Sequence, residues 1–184
     1  QIITVRDTTP PVITCPADVT LDCPADTSIS NTGTATAFDA CAGMTIISYS
    51  NLLTTGCGNT SIIQRMWLAT DSCGNSSSCI QQIIVQDTTA PTISIPPQND
   101  TVQCDGLGND SDYNNWIDNH GGAIATDECG SIEWDTTLIT RSTGCGKTRV
   151  DQLLFIVRDE CGNADSILAF FVVIDTIPPV LPAA

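Results

Sequence analysis

Asp7-Thr-Thr-Pro-Pro-Val-Ile13 returns as Asp87-Thr-Thr-Ala-Pro-Thr-Ile93 and again as Asp175-Thr-Ile-Pro-Pro-Val-Leu181, the three aspartates standing 80 and 88 residues apart. A chain that repeats at this period is an array of modules. The stretches ahead of the markers, Gln1-Ile-Ile-Thr-Val-Arg6, Gln82-Ile-Ile-Val-Gln86 and Phe170-Phe-Val-Val-Ile174, are short and rich in β-branched residues, the composition of strands. Each reads as the last strand of a module. Residues 1–10 are then the terminal strand and linker of a preceding module, 11–90 a first immunoglobulin-like module, 91–178 a second, and 179–184 the opening of a following module or a C-terminal tail. The sequence reads as a window cut from a longer array. The other reading is a discrete subunit whose first strand completes a neighbour, as in donor-strand polymers; a neighbour that already owns residues 170–174 has less need of it.

Cys23, Cys41, Cys57 and Cys73 of the first copy align with Cys104, Cys129, Cys145 and Cys161 of the second, and the last two intervals are 16 residues in both. The ten cysteines stand singly, without Cys-x-x-Cys or Cys/His clustering, which points to disulfides and an extracellular, oxidising setting rather than to zinc. Modules of this size bury modest cores and gain from such staples. A formal charge of −15, with six Lys and Arg in all, excludes a phosphate-binding surface, since nucleic-acid affinity rests on clustered cations. Nothing in the sequence reads as a membrane span.

Periodicity along the chain is two. In the stretch 62–69, Ile62, Met66 and Leu68 share a face, and Val150, Leu154 and Ile156 are their aligned counterparts. Alternating strands broken at short intervals by Gly, Asn, Asp and Pro imply an all-β chain of two tandem, disulfide-stapled β-sandwiches. The one helical signal is the insertion 111–122, acidic at its start and ending in Gly121-Gly122, which predicts a short helix on the second module.

Cysteine pairing follows from comparing the copies. Cys15 aligns with Ile95 and Cys79 with Ile167, so both partners of one bridge, Cys15 with Cys79, are replaced together. In an immunoglobulin-like topology the second and sixth strands end at one pole, which pairs Cys41 with Cys73 and Cys129 with Cys161. Cys23 with Cys57 and Cys104 with Cys145 then close the other pole. Six cysteines allow fifteen connectivities, so alternatives to this assignment remain open.

The Asp-Thr-Thr-x-Pro linkers, Cys15-Pro-Ala-Asp-Val-Thr-Leu-Asp-Cys23, Ala69-Thr-Asp-Ser-Cys-Gly-Asn75 and Asp159-Glu-Cys-Gly-Asn163 together resemble the hyalin-repeat (HYR-like) immunoglobulin-type modules. Such modules recur in giant secreted proteins, adhesins and surface filaments of Bacteroidota. The resemblance covers nearly the whole chain, departing from it at the insertion 105–122 and at the missing counterpart of Cys15 and Cys79. It implies a structural or adhesive role outside the cell and carries over no catalytic residue. The partners it implies are neighbouring copies or modules of the same filament and, beyond those, glycans or a surface ligand. The alternative is a carbohydrate- or surface-binding accessory region of a large secreted enzyme.

Calcium-braced linkers are the sharpest site expectation. The topology brings Asp7, Asp39 and Asp71 to one pole of the first module, and Asp87, Asp127 and Asp159 to that of the second, where Glu128 and Glu160 also lie. Hard oxygen donors of this kind suit Ca²⁺; the rival is that each Asp caps its own turn. No organic cofactor is implied. The acidic loop 105–112 lacks the order of an EF-hand, and Gly144-Cys-Gly-Lys-Thr148 has Arg141 where a phosphate loop needs its first glycine, so the first reads as a solvated loop and the second as a turn. His120 is the sole histidine, which rules out a His-based triad built within the chain. Glycan attachment is expected at the Asn-x-Ser/Thr positions Asn59, Asn75, Asn99 and Asn109. The Bacteroidota resemblance implies instead an O-linked pattern matched by Thr8, Thr88, Thr136, Ser166 and Thr176. Of the tryptophans, Trp67 belongs to a central strand and Trp116 anchors the insertion helix, leaving Trp134 as the candidate sugar platform.

Overall fold

The computed structural model describes residues 1–41 and 44–180. Most of the expected final segment, 179–184, lies outside the described residues. The chain divides into two compact units, Gln1–Thr88 and Thr89–Ala184. Both are β-sandwich-like, and they are built to one plan.

In the first unit, β1 (Val12–Thr14) pairs antiparallel with β3 (Thr36–Phe38) to form a two-stranded sheet. Facing it is a four-stranded sheet in the order β2-β6-β5-β4, made of β2 (Val19–Asp22), β6 (Ser76–Gln86), β5 (Ser61–Thr70) and β4 (Ile46–Thr55). β2 runs parallel to β6, from Val19 opposite Ile83 to Asp22 opposite Gln86. A single helical turn, α1 (Ile29–Thr32), fills the connection between β2 and β3.

The second unit repeats this. β7 (Thr92–Ile95) pairs with β9 (Ile124–Thr126), and the larger sheet runs β10-β11-β12-β8. Its strands are β8 (Asp100–Gln103), β10 (Ile132–Thr143), β11 (Arg149–Asp159) and β12 (Ala164–Ile174). β8 is parallel to β12, as β2 is to β6. The insertion folds as α2 (Asp110–Asp118) with a 3₁₀ turn, His120–Gly122, behind it. Asp110 and Asp112 stand in the first turn of α2, where the helix dipole favours anions. Gly121, in the middle of that turn, has φ +62°, and a Cβ there would lie 2.9 Å from the Pro97 side chain, so only glycine fits.

The face shared by Ile62, Met66 and Leu68 is the open one: these residues are 41%, 48% and 38% exposed. The core face of β5 is Ile63, Arg65, Trp67 and Ala69, opposed on β6 by Gln81, Ile83 and Val85. In the second unit the core is Leu153, Phe155, Ala169, Phe171 and Val173, with Trp116 of α2 packed onto it. Trp116 meets Phe155 edge-on at 5.1 Å and donates from Nε1 to the Gln98 carbonyl at 2.9 Å, which anchors the inserted helix.

Each unit also buries charge. Arg65 is 2% exposed and donates to Asn51 Oδ1 at 2.9 Å, Thr32 Oγ1 at 2.7 Å and the Thr27 carbonyl at 2.7 Å, tying α1 to the large sheet. Asp151, fully buried, accepts from Arg141 at 2.6 and 2.9 Å and from Arg149 at 2.9 Å. Buried charges persist only when hydrogen-bonded in this way.

Cys15 and Cys79 form a disulfide that closes 64 residues of chain. Cys23, Cys57, Cys129 and Cys161 are disulfide-bonded as well. Cys41, Cys73, Cys104 and Cys145 differ from the sequence expectation in carrying free thiols, three of them exposed. The backbone at these positions is held without the sulfurs: the N–H groups of Cys41 and Cys73 bind the Asp39 and Asp71 carboxylates, Cys104 N–H binds the Ile174 carbonyl, and the Cys145 carbonyl accepts from Thr148 N–H. Among the described residues, no helix is long and apolar enough to cross a membrane.

Candidate functional site

Asp7 precedes β1, Asp39 follows β3 directly, and Asp71 follows β5 directly. The three strand ends share one pole of the first unit. Each of these aspartates offers a carboxylate oxygen within 4.8 Å of the others.

Each carboxylate also organises its own turn. Asp7 Oδ1 accepts from Thr9 N–H at 3.0 Å, Asp39 Oδ1 from Cys41 N–H at 2.8 Å, and Asp71 Oδ1 from Cys73 and Asn75 N–H at 2.9 Å. Turn capping and clustering are therefore one arrangement, because the cap on each turn fixes where its second oxygen lies. Asn75 spans the cluster, donating its amide to Asp71 Oδ2 at 2.8 Å and to the Asp7 carbonyl at 3.4 Å. Burial pushes the Asp71 carboxyl up, but hydrogen bonds from the Asn75 side chain and from the N–H groups of Asn75, Cys73 and Gly74 outweigh it and hold the group below the usual carboxylate range. Asp71 stays ionised in company with two other acids.

A cation would have to satisfy a specific deficit here. Asp7 Oδ2 is buried and accepts no hydrogen bond. A desolvated carboxylate oxygen beside two further carboxylates is costly without a positive partner. All-oxygen, flexible coordination with several carboxylates suits Ca²⁺ better than the strict octahedron of Mg²⁺. The residues fit the ion, and Asp7, Asp39 and Asp71 would hold it.

The second unit repeats the turns. Asp127 Oδ1 accepts from Cys129 N–H at 2.7 Å; Asp159 Oδ1 accepts from Cys161 at 2.8 Å and Asn163 at 2.9 Å, and its Oδ2 accepts from the Asn163 amide at 2.8 Å. Asp159, like Asp71, is held below the ordinary range because the Asn163, Cys161 and Gly162 hydrogen bonds outweigh the opposing effect of burial. Asp87 directly follows β6. Asp105, in the acidic loop, caps its own turn, taking N–H bonds from Leu107 and Gly108 at 2.7 Å and from Asn109 at 3.1 Å. That loop is docked rather than simply solvated: Lys147 donates to the Leu107 carbonyl at 3.0 Å, and Arg149 donates to the Gly108 carbonyl.

Two of the expected glycan positions have side-chain amides engaged in the fold. Asn109 is 2% exposed and its amide donates to the Gln103 carbonyl at 3.0 Å and Asp112 Oδ2 at 2.9 Å, so its nitrogen is committed. The Asn75 amide is committed to Asp71 and Asp7. Asn59 and Asn99 are exposed, as are Thr8, Thr88, Ser166 and Thr176, whereas Thr136 is half-buried opposite the core residue Phe155. Trp134 is not an open platform either: His120 stacks on it at 5.0 Å with 17° between the rings. The sequence offered no signal for that pairing, nor for the buried Arg65 and Asp151.

No family model and no curated protein sequence matches the chain. Among solved structures, it is similar to a protocadherin gammaB7 EC3-6 cis-dimer structure, at 11% identity and TM-score 0.40, over 90% of this chain and 52% of that one. It is also similar to human mucin-like protocadherin EC1-2, at 9% identity and TM-score 0.35 over 90% and 99%, and to Drosophila N-cadherin EC1-4, at 12% identity and TM-score 0.34 over 91% and 50%. The chain thus spans about half of the protocadherin gammaB7 and N-cadherin chains it resembles. By its own strand order and pairing, it is a tandem of immunoglobulin-like, disulfide-stapled β-sandwich modules.

Proposed function

We propose that this chain is a structural and adhesive segment of an extracellular bacterial surface filament, with its first module braced by calcium at Asp7, Asp39 and Asp71. The observation that carries the reading is the convergence of three carboxylates on one pole, with Asp7 Oδ2 buried and unpaired. Asp7 lies in the Asp-Thr-Thr-Pro-Pro segment that enters β1, and Asp39 and Asp71 lie in turns behind β3 and β5. An ion held by all three would fix the entering segment to both sheets. Proline limits the same segment from the other side, since Pro10 and Pro11 restrict their own φ angles. Disulfides in both units suit an oxidising exterior. The repeated linkers present Thr8, Thr88 and Thr176 on the surface, where O-linked sugars would protect the chain from proteolysis.

Calcium titration of the folded chain, followed by calorimetry and thermal melting, tests the brace. Binding with one transition raised by calcium, and both effects reduced by Asp7→Asn, supports it. Absence of binding and of any shift at millimolar calcium removes it. Antibody labelling of whole native cells in the electron microscope tests the filament role: label along surface fibres supports it, and label confined to a released enzyme favours the accessory-module alternative.

A further inference from the structure

We infer that Cys41 with Cys73, and Cys104 with Cys145, close as disulfides when the chain meets an oxidant, so that each unit is bridged at both poles. Every free thiol occupies a position whose counterpart in the other unit is bonded. Cys41 and Cys73 correspond to Cys129 and Cys161, and Cys104 and Cys145 correspond to Cys23 and Cys57.

The open and closed positions make matching backbone hydrogen bonds. Cys41 N–H binds Asp39 Oδ1 at 2.8 Å, as Cys129 binds Asp127 at 2.7 Å; Cys73 binds Asp71 at 2.9 Å, as Cys161 binds Asp159 at 2.8 Å. The turn behind β5 closes from Asp71 N–H to the Asn75 carbonyl at 3.0 Å, and that behind β11 from Asp159 to Asn163 at 3.1 Å. At the other pole, Cys104 N–H binds the Ile174 carbonyl at 2.7 Å where Cys23 binds Gln86 at 2.8 Å. The facing hairpin turns also agree: Gly144 to Thr148 at 2.9 Å matches Gly56 to Thr60 at 2.9 Å. The hydrogen bonds of these turns do not distinguish a position that carries a bond from one that does not; what differs is exposure, Cys41 and Cys73 being exposed where Cys129 is buried and Cys161 half-buried. In the first unit the convergence is also direct, because the Asp39 and Asp71 carboxylates approach within 4.8 Å and each cysteine follows its aspartate by two residues.

The chemistry is thiol–disulfide exchange. One thiolate attacks a small-molecule disulfide oxidant, forming a mixed disulfide and releasing one reduced thiol. The partner thiolate then displaces the second. Two protons and two electrons pass from each cysteine pair to the oxidant. Closing Cys41 with Cys73 would hold the Asp39 and Asp71 turns together; this consequence for the cation rests on the calcium reading, while the bonds themselves do not.

The test is refolding of the full chain in a glutathione redox mixture, thiol blocking, and cleavage before aspartate without reduction. Such cleavage places Cys15 in peptide 7–17, Cys23 in 22–25, Cys41 and Cys57 together in 39–70, and Cys73 and Cys79 together in 71–86. The expected result is one species joining all four peptides, and a second joining 100–104 to 135–150. Two separate species, 7–17 with 71–86 and 22–25 with 39–70, or blocked thiols at Cys104 and Cys145, would overturn the inference. So would bonds between chains. In Cys41→Ser/Cys73→Ser, calcium affinity should fall about tenfold through lost preorganisation. An unchanged affinity removes the clamp, and absence of calcium binding in the parent removes the calcium reading while the peptide map still decides the bonds.

Discussion

Replacing Cys15 and Cys79 together by alanine should destabilise the first unit and leave the second almost untouched. The bridge closes 64 residues, and restricting an unfolded chain over a loop of that length contributes about 4 kcal/mol at 25 °C in the chain-entropy picture. A domain of this size has roughly 5–15 kcal/mol in all, so the loss is a large fraction. At about 4–8 °C per kcal/mol the melting transition of that unit should fall by roughly 15–30 °C. The second unit supplies a control in its own sequence, since Ile95 and Ile167 align with the two cysteines. Ile95 is 44% exposed, so isoleucine at these positions recovers only part of its burial energy. Cys15→Ile/Cys79→Ile should therefore regain no more than about 1–2 kcal/mol. Circular dichroism of the full chain in heat and in urea reads both transitions. A loss below about 1 kcal/mol in the alanine variant would refute the chain-restriction argument. Full recovery by isoleucine would assign the contribution to packing, and movement of the other transition would break the assumed independence of the units.

Asp151→Asn should cost the second unit about 3 kcal/mol in chemical denaturation, because it leaves the nearly buried Arg149 without its counter-charge; an unchanged midpoint would show that Asn and solvent satisfy both arginines. Lowering the pH should weaken both units through Asp71 and Asp159. Their folded values are depressed, so their stabilisation is complete above the usual carboxylate range and is lost as pH falls through that range and then through the lower folded value. Asn75→Ala and Asn163→Ala, which remove hydrogen bonds that cause the depression, should flatten the acid limb of melting temperature against pH, each in its own unit.

The modular plan is readable in the chain because its second and third markers directly follow strands of equal length, β6 and β12. Ahead of the first marker, residues 1–6, expected as a strand, form none here, having no sheet to pair with. The orientation of the strands is not readable, and β5 shows why. Ile62, Met66 and Leu68 alternate with Ile63, Trp67 and Ala69, so both faces are apolar and a period of two cannot choose between them. Arg65 misleads further, since an arginine in a strand suggests solvent. Here each of its nitrogens donates to an acceptor from α1, the segment before it, or β4, and burial becomes tolerable only because that ring of acceptors exists. α1 itself left no trace in sequence: it has four residues, no acid in its first turn and no side-chain cap. Tertiary contacts through Thr32 hold it. α2 had the acids at its start and glycines at its end, and it stands where those predicted.

The same logic separates the site residues that pattern reveals from those it misplaces. Asn-x-Ser/Thr specifies neighbours along the chain and carries no information about what the amide already binds. Asn75 matches the pattern, yet its amide joins Asp71 to the Asp7 backbone. A glycan on Asn75 would leave its amide one N–H, enough for only one of these two bonds, so modification there would loosen the tie between Asp71 and the Asp7 backbone while the backbone bonds keep the turn itself closed. The aspartates, by contrast, were legible because each serves its turn first. Asp-x-Cys-Gly-Asn is a local motif closed by the Asp carboxylate and a glycine at positive φ, +89° at Gly74 and +91° at Gly162. Local closure fixes one oxygen on the backbone, β3 of the small sheet and β5 of the large sheet end at the same pole, and the three carboxylates then converge without any further specification. A cation site of this form can be gained by a repeat family at little cost in foldability, because the residues that would bind the ion are already required by the turns.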